Sequence, residues 1–204
     1  MNKQTKIIGA LLGAALAAAS GVAVAESSYG YQSSGTGAVQ ATARVNLAVT
    51  VPKLILLRVG SATGTGDTIT WTGAASWNTN PSPVTDGNNQ AADWDGAQPS
   101  INLTSSTNAL AVYAWQNSGS NATLTFTSTA FAPTGGPLLS NVAVGASGLN
   151  PPSHPGGTLG AATPVNLITN TLYSGTWTYT LGGSAYTWAA GSYNGAVTYT
   201  ASAL

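Results

Sequence analysis

Cysteine is absent from this 204-residue chain, and charged residues are scarce. Without cysteine no disulfide can form, so stability must come from a self-sufficient core or from strand exchange between subunits. Five basic and five acidic residues give a net charge of zero at neutral pH. So few lysines and arginines argue against nucleic acid or an anionic membrane surface as the partner.

The sequence also lacks the residue combinations that catalysis or metal binding needs. His154 is the single histidine, so a zinc site is not expected. Glu26 is the only glutamate, and no Gly-x-Ser-x-Gly motif presents a serine nucleophile. Asp93 and Asp95 resemble the start of a calcium loop, but the later ligands are missing and a solvated turn is expected. We predict no enzyme activity, no cofactor and no metal.

The first 25 residues have the features of a signal peptide. Lys3 and Lys6 precede an apolar stretch at 7–18, and Ala-Val-Ala at 23–25 forms a small-residue cleavage site. The competing interpretation is a retained N-terminal anchor. Cleavage would leave about 179 residues (204 minus 25), enough for one domain with a sizeable core. We therefore expect a secreted protein.

Apolar residues alternate with mostly polar ones in the segment that runs from 38 to 52. This period of two predicts a β-strand with one face in a core. A Ser- and Gly-rich flexible leader at 26–37 precedes the segment, and the alternation ends at Pro52 without a turn sequence. We interpret 38–52 as a donor strand meant for another chain, and its apolar residues are Val39, Ala41, Ala43, Val45, Leu47, Val49 and Val51.

The remainder, 53–204, predicts many short strands and no helix. Residues 54–59 are almost all apolar, which indicates a strand covered on both faces. Asn, Ser and Gly at 117–121 predict a hairpin between strands at 109–116 and 122–128. A final alternation runs from 195 to 204, so we expect a sheet that lacks a closing strand. The pattern predicts an all-β, immunoglobulin-like sandwich, with an irregular loop at 73–100.

Two stretches of the chain resemble pilus subunits of the chaperone–usher kind. VNLAVTVPKLILLRVG (45–60) is similar to the mature start of cysteine-free, colonisation-factor-type fimbrial subunits. AAGSYNGAVTYTASAL (189–204) resembles the A-G-x-Y-x-G-x-V-x-Y-T ending of fimbrial and spore-coat-like subunits. These motifs lie at both ends of the chain and leave its middle unexplained.

The resemblance implies an immunoglobulin-like sandwich that lacks its final strand. In that family a periplasmic chaperone fills the gap until the N-terminal strand of the next subunit replaces it during assembly through an outer-membrane usher. The partners would be copies of the chain joined head to tail in an extracellular fimbrium on the cell surface. Carried over by residue, the strand that borders the acceptor groove would present Val197, Tyr199 and Ala201, and the donor would insert Val45, Leu47, Val49 and Val51.

The six tryptophans support a rival interpretation. Trp115 and Trp177 lie in alternating strands and are expected in the core. Trp77 and Trp94 lie in the polar loop and are the candidates for contact with host or surface glycans, which would make the protein a lectin-like adhesin. A third interpretation is a secreted matrix or coat protein that folds alone, with 39–51 as an ordinary edge strand.

Overall fold

A computed structural model describes residues 27–64, 66–77 and 84–203. The predicted signal peptide, 1–25, and Glu26 lie outside these residues. The chain divides into two compact units, Met1–Val51 and Pro52–Leu204. Within the described ranges, no helix is long and apolar enough to cross a membrane.

In the N-terminal unit, the leader folds back onto the beginning of the alternating segment. The chain turns at Gln32, whose carbonyl accepts a hydrogen bond from the backbone N–H of Gly35 (3.3 Å). The backbone N–H of Thr42 donates to the Ser28 hydroxyl (2.6 Å), and this hydroxyl donates to the Thr42 carbonyl (2.5 Å). Residues 38–51 belong to no strand or helix.

The larger unit is all-β. Its described residues form nine strands and two short 3₁₀ turns, at Leu139–Asn141 and Ala185–Thr187. All neighbouring strands are antiparallel. The strands are β1 (Ile55–Val59), β2 (Trp71–Ser76), β3 (Ser100–Ser105), β4 (Ala109–Gln116), β5 (Ala122–Ala132), β6 (Val142–Asn150), β7 (Val165–Leu167), β8 (Tyr173–Leu181) and β9 (Asn194–Ser202).

Two of the three sheets share one hydrophobic core. The first sheet has the order β1-β4-β8-β6 and the second has the order β7-β5-β9. Their buried side chains form a single cluster, to which β4, β5, β6, β7 and β8 all contribute. The arrangement is consistent with a β-sandwich, in which the inner faces of two sheets bury each other.

The predicted hairpin between β4 and β5 is wrong. β4 pairs with β1 and β8, whereas β5 pairs with β7 and β9, so residues 117–121 cross from one sheet to the other. The fully buried Gln116 explains the crossing. Its amide nitrogen donates to the carbonyls of Ser120 (2.9 Å) and Leu167 (3.1 Å), and its amide oxygen accepts from the backbone and hydroxyl of Ser118 (2.7 and 2.6 Å). These bonds stabilise the crossing loop.

β1 is an edge strand, and the prediction that it is covered on both faces is wrong. Half-buried residues at 55, 57 and 59 alternate with exposed Leu56 and Arg58. The start of the strand is held by Asn117, whose side chain accepts from the backbone N–H of Leu54 (2.7 Å) and donates to the carbonyl of Pro52 (2.9 Å). One face of β1 therefore remains open to solvent.

β2 and β3 form a separate two-stranded ribbon. Trp71 pairs with Ser105 at one end and Ser76 pairs with Ser100 at the other. The ribbon replaces part of the loop that was predicted at 73–100. The described residues between its strands, Trp77 and 84–99, form neither helix nor strand.

Candidate functional site

The outer edge of β9 is the most distinctive feature of the larger unit. β9 pairs with β5 along one side, from Ser202 opposite Thr123 to Asn194 opposite Ala132. Its other side pairs with no strand in the described ranges. The row of backbone N–H and C=O groups along such an edge is a template for an additional strand.

The side chains that border this open edge are apolar and only half buried. On β9 the inward-facing residues pack against the core without being fully covered. β1, the edge strand of the first sheet, approaches β9 at this border and presents a second half-buried row. We call these two rows the groove, and it is formed by Ile55, Leu57, Val59, Val197, Tyr199 and Ala201. The residues predicted to border an acceptor groove thus lie on the inner face of an edge strand.

The alternating segment carries apolar side chains that are exposed. Val45, Leu47, Val49 and Val51 have exposed fractions of 79%, 89%, 87% and 73%. Val39 is 52% exposed, and Ala41 and Ala43 are also exposed. Contiguous exposed apolar residues usually mark an interaction surface in a soluble protein.

A cluster of aromatic rings lies behind the groove. The Trp177 ring lies 4.9 Å from the rings of both His154 and Tyr199, and Phe126 packs against the same two residues. A polar chain runs through the cluster, since the Tyr199 hydroxyl lies 2.8 Å from His154 Nε2 and 3.0 Å from the Tyr179 hydroxyl. Burial raises the pKa of both tyrosines, so their hydroxyls stay neutral.

The loop that carries His154 is part of the core, which the sequence analysis missed. Pro152 and Pro155 are fully buried, and the Trp177 indole N–H donates to the Pro152 carbonyl (2.8 Å). Because proline has no backbone N–H, burying it leaves no donor unpaired. Gly175 makes room for the loop, because a Cβ there would lie 2.5 Å from the side chain of Pro151. The Pro-rich composition of this loop is therefore compatible with burial.

Acid is expected to destabilise the larger unit through His154. Burial lowers the pKa of His154 from 6.5 to about 4, because a cation there would be surrounded by aromatic rings. As the pH falls, the unfolded chain therefore binds the proton first. The contribution of His154 to the free energy of unfolding is fully present above pH 6.5 and is lost as the pH falls from 6.5 through 4. The loss at pH 4 is about 3 kcal/mol. Chemical denaturation at a series of pH values measures it.

The control for this prediction is His154→Gln, which keeps a hydrogen-bonding partner for Tyr199 but does not titrate. Its free energy of unfolding should vary less with pH between 6.5 and 4 than that of the wild type. The difference between the two curves removes the contribution of the aspartates, which both proteins share. Parallel curves would show that His154 is not the group responsible.

The two candidate glycan-binding tryptophans do not line the same depression. Trp77 borders a depression of about 330 Å³ together with Thr85 and Gln90, and its buried indole N–H has no partner within the described residues. Trp94 is 59% exposed, does not line that depression, and donates its indole N–H to the Ala97 carbonyl (2.7 Å). The two rings therefore do not line one common depression, and contact with glycans stays a prediction.

Asp95 takes part in a local turn in which its carboxylate accepts the backbone N–H of Ala97 (2.9 Å). Nowhere in the described ranges do three His, Cys, Asp or Glu side chains converge to hold a metal ion.

Comparisons of the chain with protein-family models, with curated proteins and with solved structures find no match.

Proposed function

We propose that the protein is a non-enzymatic structural subunit of an extracellular fibre. Each copy inserts residues 38–51 into the groove of the next copy, beside β9. The unpaired edge of β9, with its half-buried apolar row, is the observation that carries this proposal. An inserted strand would bond to that edge and bury its alternate side chains against the core.

The order of the strands supports this proposal. An immunoglobulin sandwich has one sheet with the order A-B-E-D and a second sheet that contains C-F-G. If the β2–β3 ribbon and the short β7 are left out, the remaining strands correspond in chain order to the letters A to F: β1, β4, β5, β6, β8 and β9. The first sheet, β1-β4-β8-β6, then has the order A-B-E-D, and the pair β5-β9 corresponds to C-F. The G position would lie beside β9, where the described chain supplies no strand.

The energetics of insertion favour a stable fibre. Burying Val39, Val45, Leu47, Val49 and Val51 at about 1.5–3 kcal/mol each contributes roughly 7–15 kcal/mol before the cost of ordering the segment. This is comparable to the ~5–15 kcal/mol that stabilises a whole domain. The donor segment and the groove are separate parts of each copy. When two copies join, the donor segment of one and the groove of the other are still free to bind further copies. Such head-to-tail contacts produce filaments.

The assembly route follows from the same proposal. A subunit with an empty groove exposes an apolar sheet edge, which is prone to aggregation until it is covered. A periplasmic chaperone and an outer-membrane usher are the partners that would cover the groove and order the exchange. The fibre would then lie outside the cell. The adhesin and the self-contained coat protein remain the alternatives to this function.

Deletion of 38–51 tests the proposed function. The truncated protein should keep its β9 edge and still bind a chaperone, but it should not extend a fibre, because it has no donor. Electron microscopy and sedimentation of the secreted material measure the polymer. Normal polymerisation of the truncated protein would refute donor-strand exchange, and a full-length chain that stays monomeric and never polymerises would favour the self-contained alternative.

A further inference from the structure

We propose that the leader of one copy binds a patch on the outer face of the first sheet of its neighbour. This inference rests on the proposed function, since donor-strand insertion is what delivers the leader to that place. The patch is formed by Leu56, Arg58, Tyr113, Trp115 and Leu172, and the leader brings Tyr29 and Tyr31. Fibre contacts would then extend beyond the groove.

The patch is an apolar depression on the outside of β1 and β4. Leu56 lies opposite Trp115, and Arg58 lies opposite Tyr113, in the register of these two strands. The Arg58 guanidinium stacks over the Tyr113 ring at 4.3 Å from its centroid. Leu172 completes a depression of about 290 Å³. Trp115 was expected in the core, but it lies on the outer face, where it is half buried.

The direction of insertion brings the leader to this patch. A donor strand that continues the antiparallel pattern runs opposite to β9, so its N-terminal end lies beside Ser202. Ser202 pairs with Thr123, directly after the loop at 117–121. The residue before that loop, Gln116, pairs with Ile55 at the beginning of β1. The leader therefore leaves the groove at the end where β1 starts, next to the patch.

The conformation of the leader keeps its tyrosines close to that end. The two hydrogen bonds between Ser28 and Thr42 hold the leader against the beginning of the donor segment. A Cβ on Gly30 would lie 2.8 Å from the backbone of Gln40, so the two stretches are in close contact. Tyr29 and Tyr31 are 88% and 77% exposed, and both are free to pack onto another surface.

The chemistry of the two surfaces is complementary. Tyrosine combines an apolar ring with a polar hydroxyl, which suits a half-open depression lined by leucine and tryptophan. The Arg58 cation also attracts aromatic faces. The leader supplies two such rings, two residues apart in the sequence. The direction of insertion brings this leader to the patch of the neighbouring copy.

Photo-cross-linking in assembled fibres tests this contact. p-Benzoylphenylalanine in place of Tyr31 keeps an aromatic ring at the position, and mixed fibres of ¹⁵N-labelled and unlabelled chains distinguish contacts between copies from contacts within one copy. After irradiation and proteolysis, mass spectrometry should find the probe linked to residues 54–58, 113–115 or 172 of a different copy. Cross-links that map elsewhere, or only within one copy, would overturn the docking while leaving donor-strand exchange intact.

A matched pair of variants sharpens the result. Leu172→Ser alters an exposed residue of the patch and should lower the cross-link yield at least threefold without affecting fibre formation. Thr180→Ser, on the exposed face of the same sheet but near its far end, should leave the yield unchanged. An equal yield in both variants would refute the patch as the binding surface. If fibres do not form even with wild-type protein, the proposed function fails, and this inference fails with it.

Discussion

Replacing both Leu47 and Val49 by aspartate should stop fibre growth while leaving the isolated subunit folded. In the proposed fibre these side chains enter an apolar groove, so the variant loses their burial and must also place two carboxylates there. We expect the affinity between subunits to fall at least about 1000-fold, which corresponds to about 4 kcal/mol. Sedimentation of polymer from equal amounts of purified protein measures the loss.

The donor segment provides its own control. Asn46→Asp with Thr50→Asp introduces the same two charges on the polar positions of the same segment, which face away from the groove, and should allow fibres to form. Both double variants should melt like the wild-type monomer, because Leu47 and Val49 are almost fully exposed in the subunit. Equal loss of polymer in both would show that charge alone, and not the insertion of alternate side chains, prevents assembly.

The alternating pattern predicted the all-β fold and the strand β9, with Val197, Tyr199 and Ala201 on one face, and both predictions are confirmed. This succeeded because a period of two depends only on local backbone geometry. The boundary between the two units, after Val51, lies one residue before the predicted end of the donor segment. Which chain the donor segment pairs with is a property of two molecules, and it remains a prediction.

Pairing between strands was harder to predict than the strands themselves. The turn sequence at 117–121 satisfies the hairpin pattern, but Gln116, at the end of β4, bonds to the crossing loop and to Leu167 of β7 and stabilises a crossing instead. Which face of β4 is buried also depends on the neighbouring strand. Ala114 lies inward opposite the large Tyr173, because a close-packed core matches small residues with large ones across strands. Trp115, the next residue along β4, therefore faces outward.

Replacing Trp177 by alanine should destabilise the larger unit more than any other substitution considered for it. Trp177 is fully buried, contacts the rings of His154 and Tyr199, and donates to the Pro152 carbonyl. Its removal creates a cavity and costs about 3–5 kcal/mol. For a domain of this size the melting temperature should fall by roughly 6–20 °C, at about 2–4 °C per kcal/mol. Differential scanning calorimetry of a protein that comprises residues 26–204 measures the shift.

Two further variants separate the causes of this loss. Trp177→Phe keeps an aromatic ring but leaves the Pro152 carbonyl unpaired, so it should cost roughly 1–3 kcal/mol. Trp94→Ala removes an exposed tryptophan and should change stability by less than about 0.5 kcal/mol. Since Trp177 packs against Tyr199 of β9, a cavity there also removes support from that strand. A melting temperature unchanged by Trp177→Ala would contradict the packing of the loop at 150–157 into the core.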